Sequence, residues 1–327
     1  MENIRSTAVS RRTALALLSS FAAMPAWAQS QSVTLVVPFP PGGSTDALSR
    51  ILAIGARDKL GANIIVENRA GGMGSIGAVQ VARAPANGST FLVTFDSHAT
   101  IPALIEPPPL DVAKDMEPVL LVGTAPYVLA ANTARPYTKF ADIVAAAKQK
   151  PGQVTYSSAG PGTIGHLAMV LLGKRSGIEL THVPYKGAGP AINDTVGGHV
   201  EMICASIAIL LPQIQAGKLK PIMQMGRTRA AALKDVPTAI ESGFTDFEAS
   251  AWWGIFAPKG TPADAIAKAN TAFKDALSTE AMSRQLRETQ QIDLTLQGPK
   301  EFAVFFTKQI EVWGSVIREN NIKAQAN

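Results

Sequence analysis

Two kinds of apolar run follow one another along this chain. Short continuous runs of four to eight residues predict buried strands, and runs with apolar residues three to four positions apart predict amphipathic helices. Val33-Thr-Leu-Val-Val37 is a run of the first kind. A Pro/Gly turn over Pro38–Ser44 separates it from a helix starting at Thr45, with Leu48, Ile51, Leu52 and Ala56 on one face. Asn63–Glu67 predicts the next strand and Ser75–Ala84 the next helix. Asn87-Gly88 is a turn signal before the strand Thr90–Phe95. Pro118–Ala131 predicts one long strand or a pair of strands.

The pattern then starts again. Phe140–Lys148 predicts a helix that ends at Pro151-Gly152. Strand Gln153–Ser157, a Gly/Pro turn and a helix over Thr163–Lys174 come next. Leu180–Val183, Val200–Ala205 and Leu219–Met225 predict strands, with helices near Gly189–Val196 and Ile207–Ala216 between them. Trp252–Pro258 predicts another strand, and Thr261-Pro262 opens a helix with proline in its first turn. Phe302, Phe305, Phe306, Ile310, Trp313 and Ile317 recur at helical spacing in a long C-terminal helix, Gly298–Asn321, and read as a core stripe. Strands alternating with helices in this way predict an α/β protein.

The beginning of the chain reads differently. Arg5, Arg11 and Arg12 precede the apolar stretch Thr13–Met24, and Ala26-Trp27-Ala28 places small residues at alternate positions before Gln29. This order predicts a signal peptide over residues 1–28, cleaved near Ala28, and hence export to the periplasm. Ser10-Arg11-Arg12 hints at twin-arginine export, but Ala14 stands where a large apolar residue would be expected, so the route stays open. Without residues 1–28 the formal charge falls from +5 to +3, and Lys and Arg form no cluster interleaved with aromatics, which argues against a nucleic-acid partner. The single cysteine, Cys204, sits in the apolar run Val200–Ser206 and reads as a small buried residue on a strand.

The residues that could carry chemistry sit mainly in two turns. Phe39-Pro-Pro-Gly-Gly-Ser-Thr-Asp46 contains Pro41, Gly42 and Gly43, and then Ser44, Thr45 and Asp46, which are helix-capping types. Its counterpart in the second half is Ser157-Ser-Ala-Gly-Pro-Gly-Thr-Ile-Gly-His166, with Ser158, Ala159, Gly160, Gly162 and Thr163. The first N–H groups of a helix have no internal partner and the macrodipole is positive there, so two such helix starts facing one another could grip an anion without any arginine. Two ordinary strand-to-helix turns would carry the same spacing. His166, one turn into the second helix, and His98, after a strand end, are candidates to face a ligand, whereas His182 and His199 read as structural.

Gly72–Gly77 and Gly160–Gly165 both match G-x-G-x-x-G, and Asp96 follows the first at a suitable distance. Asn68–Gly71 separates the first match from its strand and Pro161 interrupts the second, so a dinucleotide site is not the preferred reading. There is no H-E-x-x-H pair, no Cys/His cluster and no G-x-S-x-G elbow, and neither an enzyme, a metal nor a cofactor is expected.

Several segments are more specific than these patterns. Val36-Val-Pro-Phe-Pro-Pro-Gly-Gly-Ser-Thr-Asp46, Val66-Glu-Asn-Arg-Ala-Gly-Gly72, Ser158-Ala-Gly160 with His166, His182-Val-Pro-Tyr-Lys-Gly187 and Trp253-Gly-Ile-Phe-Ala-Pro258 with Thr261-Pro262 resemble the Bug family, the receptors of tripartite tricarboxylate transporters. The resemblance implies a two-lobed, Venus-flytrap, type II-like periplasmic-binding-protein fold with two chain crossings, near Tyr127 and near Trp253. Lobe 1 would be residues 29–127 plus 254–327 and lobe 2 residues 128–253. It implies a small carboxylate held by backbone groups and waters of the loops Phe39–Asp46 and Ser157–His166. Asp96–His98 (with Ser97), Tyr185–Gly187 and the helix bearing Asp194 would shape the rest of the pocket. It also implies delivery to the membrane permease subunits of such a transporter, by a monomer that hinges and docks. Met73, Ser75 and Gly160-Pro-Gly-Thr163 depart from the family's commoner residues, so side-chain selectivity does not transfer. A sensor docking on a membrane signalling protein, or an enzyme on the same fold, are the alternatives.

Overall fold

A computed structural model of the chain describes residues 32–323; the expected signal peptide over residues 1–28 lies outside the described residues. The first sheet is built on β1 (Ser32–Val37), flanked in parallel by β2 (Asn63–Asn68) and β3 (Thr90–Phe95). β9 (Ser250–Pro258) runs antiparallel to β3, and β4 (Met116–Asn132) runs antiparallel to β9. The second sheet has the order β4-β7-β5-β6, with β7 (Met202–Ser206), β5 (Thr155–Ser158) and β6 (Thr181–Pro184), and β8 (Leu219–Gln224) on the other side of β4. The parallel strands are connected through helices, and β1, β3 and β7, covered on both faces, read as largely continuous apolar runs rather than alternating ones.

β4 is the element that joins the two. It is one strand of 17 residues. Its residues Met116–Pro126 pair with β9 in the first sheet, and Tyr127–Ala131 pair with β7 in the second. The chain returns beside it, since Tyr127 N–H donates to the Ala249 carbonyl (3.0 Å) just before β9 begins. Both passages between sheets therefore lie next to each other, the second slightly earlier than Trp253. The return strand is all in the first sheet, where Trp252 and Phe256 pack against Phe302 and Phe306.

The helices are α1 (Ser44–Gly55), α2 (Arg57–Leu60), α3 (Ser75–Ala82), α4 (Ile101–Leu104), α5 (Phe140–Gln149) and α6 (Ile164–Ser176), then α7 (Ala188–Val196), α8 (Ile207–Gln215), α9 (Ala263–Ser278), α10 (Glu280–Gln290) and α11 (Pro299–Glu319). The C-terminal stripe is core, as its spacing predicts. Phe302, Phe306, Trp313 and Ile317 are buried, and Trp252 meets the Phe302 and Phe306 rings edge-on at 5.9 and 5.7 Å. α10 and β10 (Asp293–Gln297) had no counterpart in the sequence reading. β10 adds to β4 antiparallel, and Gly123 permits this close approach, since a Cβ there would run into the Asp293 carbonyl oxygen. The two halves also touch away from β4: Leu104 of α4 covers Gly162, and Lys174 of α6 pairs with Glu319 of α11 at 2.6 Å.

Candidate functional site

Four helix starts of the described residues border one cavity of about 200 Å³ between the two sheets. Ser44 stands at the start of α1, Thr163 at α6, Ala188 at α7, and Ser206 and Ala208 at α8. The residues before these helices, Gly43, Thr163, Gly187 and Ser206, cap none of them through a side chain. Helix-start N–H groups are therefore left without side-chain acceptors around a common space, with positive dipole ends converging on it. Phe95, Trp253 and Tyr127 complete the lining, and no Lys, Arg, Asp, Glu or His contributes to it. An open surface groove of about 480 Å³ beside Lys59, Lys268 and Asp275 is larger, but it touches none of these helix starts.

The first loop is shaped by Asp46. Its carboxylate accepts from Gly42 N–H (3.0 Å), Asn68 Nδ2 (3.0 Å), Arg50 Nε (2.9 Å) and Arg50 Nη2 (3.1 Å). Asn68 also donates to the Phe39 carbonyl at 3.1 Å, so β2 ties down both ends of the turn. Burial favours the neutral acid, but the Arg50, Gly42 and Asn68 hydrogen bonds outweigh it and hold Asp46 below the usual carboxylate range. Its acceptor sites are spent on the loop, on α1 and on β2, so Asp46 organises the helix start instead of lining the cavity. Pro41, Gly42 and Gly43 are exposed on the turn, and the Phe39 ring packs over Gly74. Ser44 is the residue of this loop that lines the cavity, and its Oγ accepts from Trp253 Nε1 at 3.3 Å.

In the second loop, Gly160 (φ +138°) and Gly162 (φ +74°) take backbone conformations that favour glycine. Gly162 N–H donates to His166 Nδ1 at 3.0 Å, which leaves the proton of this imidazole on Nε2. His182 stacks on His166 with ring centres 3.9 Å apart and meets Ser158 Oγ at 2.8 Å. Ser158 Oγ in turn accepts from Gly160 N–H (3.2 Å), and Thr163 Oγ1 donates to the Gly160 carbonyl (2.7 Å). Burial pushes His166 down to about 4; burial and the neighbouring His166 push His182 down to about 3, so both rings are neutral above these values. Neutral stacked imidazoles support the loop from behind. Ala159 and Thr163 reach the cavity, whereas Gly160, Gly162 and His166 form its frame. Tyr185 OH is engaged by Asp194 Oδ2 at 2.5 Å, outside the lining, and this holds the segment over which Gly160 folds.

His98 departs most from expectation. Its ring lies in the core, stacked on Phe306 (5.5 Å) and tilted against Phe256 (5.1 Å), and both ring nitrogens lack a partner. The short helix after β3 turns it away from the cavity, and Ser97 Oγ is likewise buried without a partner. The β3 end contributes Phe95 instead. Asp96, fully buried, accepts from Tyr127 OH at 3.0 Å, and burial pushes its carboxyl up to about 8 against the Tyr127 and Ser97 hydrogen bonds. It carries no ribose-binding geometry.

Between about pH 4 and pH 8 the folded chain keeps the Asp96 proton that the unfolded chain has lost, so this group makes stability fall as pH rises through that window. Asp96→Asn preserves an acceptor for Tyr127 and removes the dependence. In urea melts the variant is expected to match the parent near pH 4 and to exceed it by more than about 1 kcal/mol at pH 8. A parent–variant difference that does not grow with pH would show that Asp96 is already ionised in the folded chain.

The cavity residues that sequence reasoning missed are Ala188, just past the Tyr185–Gly187 loop, and four at the β7–α8 junction: Ala205, Ser206, Ala208 and Ile209. The β7–α8 turn has no Gly or Pro, the signal by which the first two loops were found. Phe95 and Cys204 of the wall were read only as strand residues, and Tyr127 and Trp253 only as crossings.

Two twisted sheets joined through one shared strand, with uncapped helix starts converging on the space between them, define a solute-binding receptor. The chain belongs to the tripartite tricarboxylate transporter receptor family, whose model matches residues 48–322. It is 33% identical over 293 residues to protein BugT of Bordetella pertussis, covering 89% of this chain and 90% of that protein. Among solved structures it is similar to the periplasmic binding protein BugD (30% identity, TM-score 0.76, 90% of this chain and 99% of that one). It is also similar to Rpa4515 of R. palustris, solved with adipate (31% identity, TM-score 0.79, 90% and 99%). These proteins are receptors and not enzymes, and the fold is that of the periplasmic solute-binding proteins. Among the described residues no helix is long and apolar enough to cross a membrane.

Proposed function

We propose that this chain is a periplasmic receptor that binds a small carboxylate in the cleft between two lobes and delivers it to the permease subunits of a tripartite tricarboxylate-type transporter. Four helix starts without side-chain caps around one cavity carry this reading, because a carboxylate supplies the acceptors those N–H groups lack. The backbone and bound waters of residues 39–46 and 157–166 hold the carboxylate. The lobes follow the two sheets, residues 32–127 with 250–323 and residues 128–249, so the second boundary falls before β9 and not after Trp253. Export by a signal peptide cleaved near Ala28 brings the monomer to that compartment. A ligand that touches both lobes favours the closed arrangement in proportion to its differential affinity for it. Rpa4515, solved with adipate, supports the class of ligand.

The test is a thermal-shift screen against carboxylic acids and their amides. An acid at about 100 times its Kd is expected to add about 2.7 kcal/mol of stability, while its amide adds nothing measurable. Stabilisation by amides and by no acid would overturn the assignment.

A further inference from the structure

Three of the side-chain donors around the cavity are spent within the protein, and none of the donors there is a cation. Tyr127 OH donates to Asp96, Trp253 Nε1–H to Ser44, and Thr163 Oγ1–H to the Gly160 carbonyl. The Ser44 hydroxyl, which accepts from Trp253, keeps its own proton for a ligand. The Ser206 hydroxyl, buried without a partner, is likewise free for a ligand. Apart from these two neutral hydroxyls, the donors left are the backbone N–H groups of the helix starts. Tyr127 has its proton committed to Asp96, and burial keeps both Tyr127 and Cys204 uncharged. A second ionised carboxylate in this small space would be buried without a cationic partner, which is strongly unfavourable.

The remaining wall is hydrocarbon. Phe95 and Trp253 stand with ring centres 5.1 Å apart and tilted by 59°. Ala159, Ala188, Ala205 and Ala208 keep side-chain volume low on the facing wall, with Ile209 beside them. The space of about 200 Å³ exceeds the roughly 150 Å³ apolar cavity that accepts a benzene ring. Given the receptor reading above, we propose that the cleft selects a monocarboxylate with an apolar, ring-sized body over di- and tricarboxylates. The helix starts hold the carboxylate, and the ring lies against Phe95 and Trp253.

Isothermal titration of the full chain, expressed and recovered from a bacterial periplasm, tests this with benzoate, cyclohexanecarboxylate, adipate, citrate and benzamide. Benzoate or cyclohexanecarboxylate is expected to bind at least tenfold more tightly than adipate or citrate. Equal or tighter binding of adipate or citrate overturns the ligand class and leaves the carboxylate receptor standing. Benzamide binding as tightly as benzoate, or no binding by any acid, overturns the receptor reading and this proposal with it. Ile209→Arg, at a half-exposed position on α8, supplies the missing cation and is expected to raise adipate affinity at least tenfold while weakening benzoate. A folded Ile209→Arg protein with no gain for adipate would show that this wall does not set the ligand class.

Discussion

Gly165→Val is expected to destabilise the chain by about 3 kcal/mol, at the upper end of what overpacking a buried site costs. A Cβ at residue 165 would run into the Cys204 carbonyl oxygen and lie 3.3 Å from the Tyr127 ring. Neither neighbour can step aside. Cys204 is locked in the β7 ladder opposite Leu129, and Tyr127 is the first β4 residue paired in the second sheet. α6 would have to lift off β7, taking the Gly160–Thr163 turn with it. A urea melt reads the loss as a lower midpoint with an unchanged slope. Gly189→Ala, on α7 with open space around it, serves as the control and should stay within about 0.5 kcal/mol. Equal midpoints for the two variants would mean that α6 is not seated on β7 as described.

Asp46→Ala has the second large effect, on ligand affinity. It removes the acceptor of Gly42 N–H and of Asn68 Nδ2, two hydrogen bonds to a charged group that is almost fully buried. Hydrogen bonds of that kind are worth about 1.5–3 kcal/mol. The Arg50 arm is more than half exposed, and its ion pair adds little to this. Part of the loss appears as stability and part as disorder of the turn preceding α1, so ligand affinity is expected to fall at least tenfold. Asp46→Asn should lie between alanine and the parent, since it keeps one acceptor oxygen. Because the native carboxylate is held below its ordinary range, its contribution is present at neutral pH and lost as pH falls through the folded value. Unaltered affinity in Asp46→Ala would remove the first loop from the binding site.

Much of the fold was legible because each βα unit obeys one period at a time. β1 and α1 are separated by a turn whose prolines and glycines announce it, and β4 reads as an apolar stretch because it is largely buried, although its pattern does not tell one long strand from a pair. β10 was illegible for the opposite reason. Asp293–Gln297 is short, half polar and at a sheet edge, and its pairing depends on Gly123 far away in sequence. α10 carries few apolar residues, since only Ser283, Leu286 and Gln290 are buried.

The candidate site was half legible. Gly/Pro turns point to Ser44, Ala159 and Thr163, while the glycine-free β7–α8 turn gave no signal. Side-chain direction was least legible of all. Whether Asp46 and His98 faced a ligand depended on where Asn68, Arg50, Phe256 and Phe306 stood around them. Local spacing does not encode that.

Where the chain passes between sheets, three segments are laced together: Tyr127 N–H donates to Ala249, Ala249 N–H to Met225 and Met225 N–H to Tyr127, at 3.0, 2.9 and 2.8 Å. Sliding one sheet along the other would shear the two bonds to Ala249, whereas bending about them strains them least and has to part Leu104 from Gly162 and Lys174 from Glu319. Relative movement is thereby reduced to one angular coordinate, as with a book on its spine. For a given angle, displacement grows with distance from that spine. Any such bending would leave Tyr127 nearly still and move the α1 and α6 starts most, so a solute would meet the floor first and the two jaws afterwards.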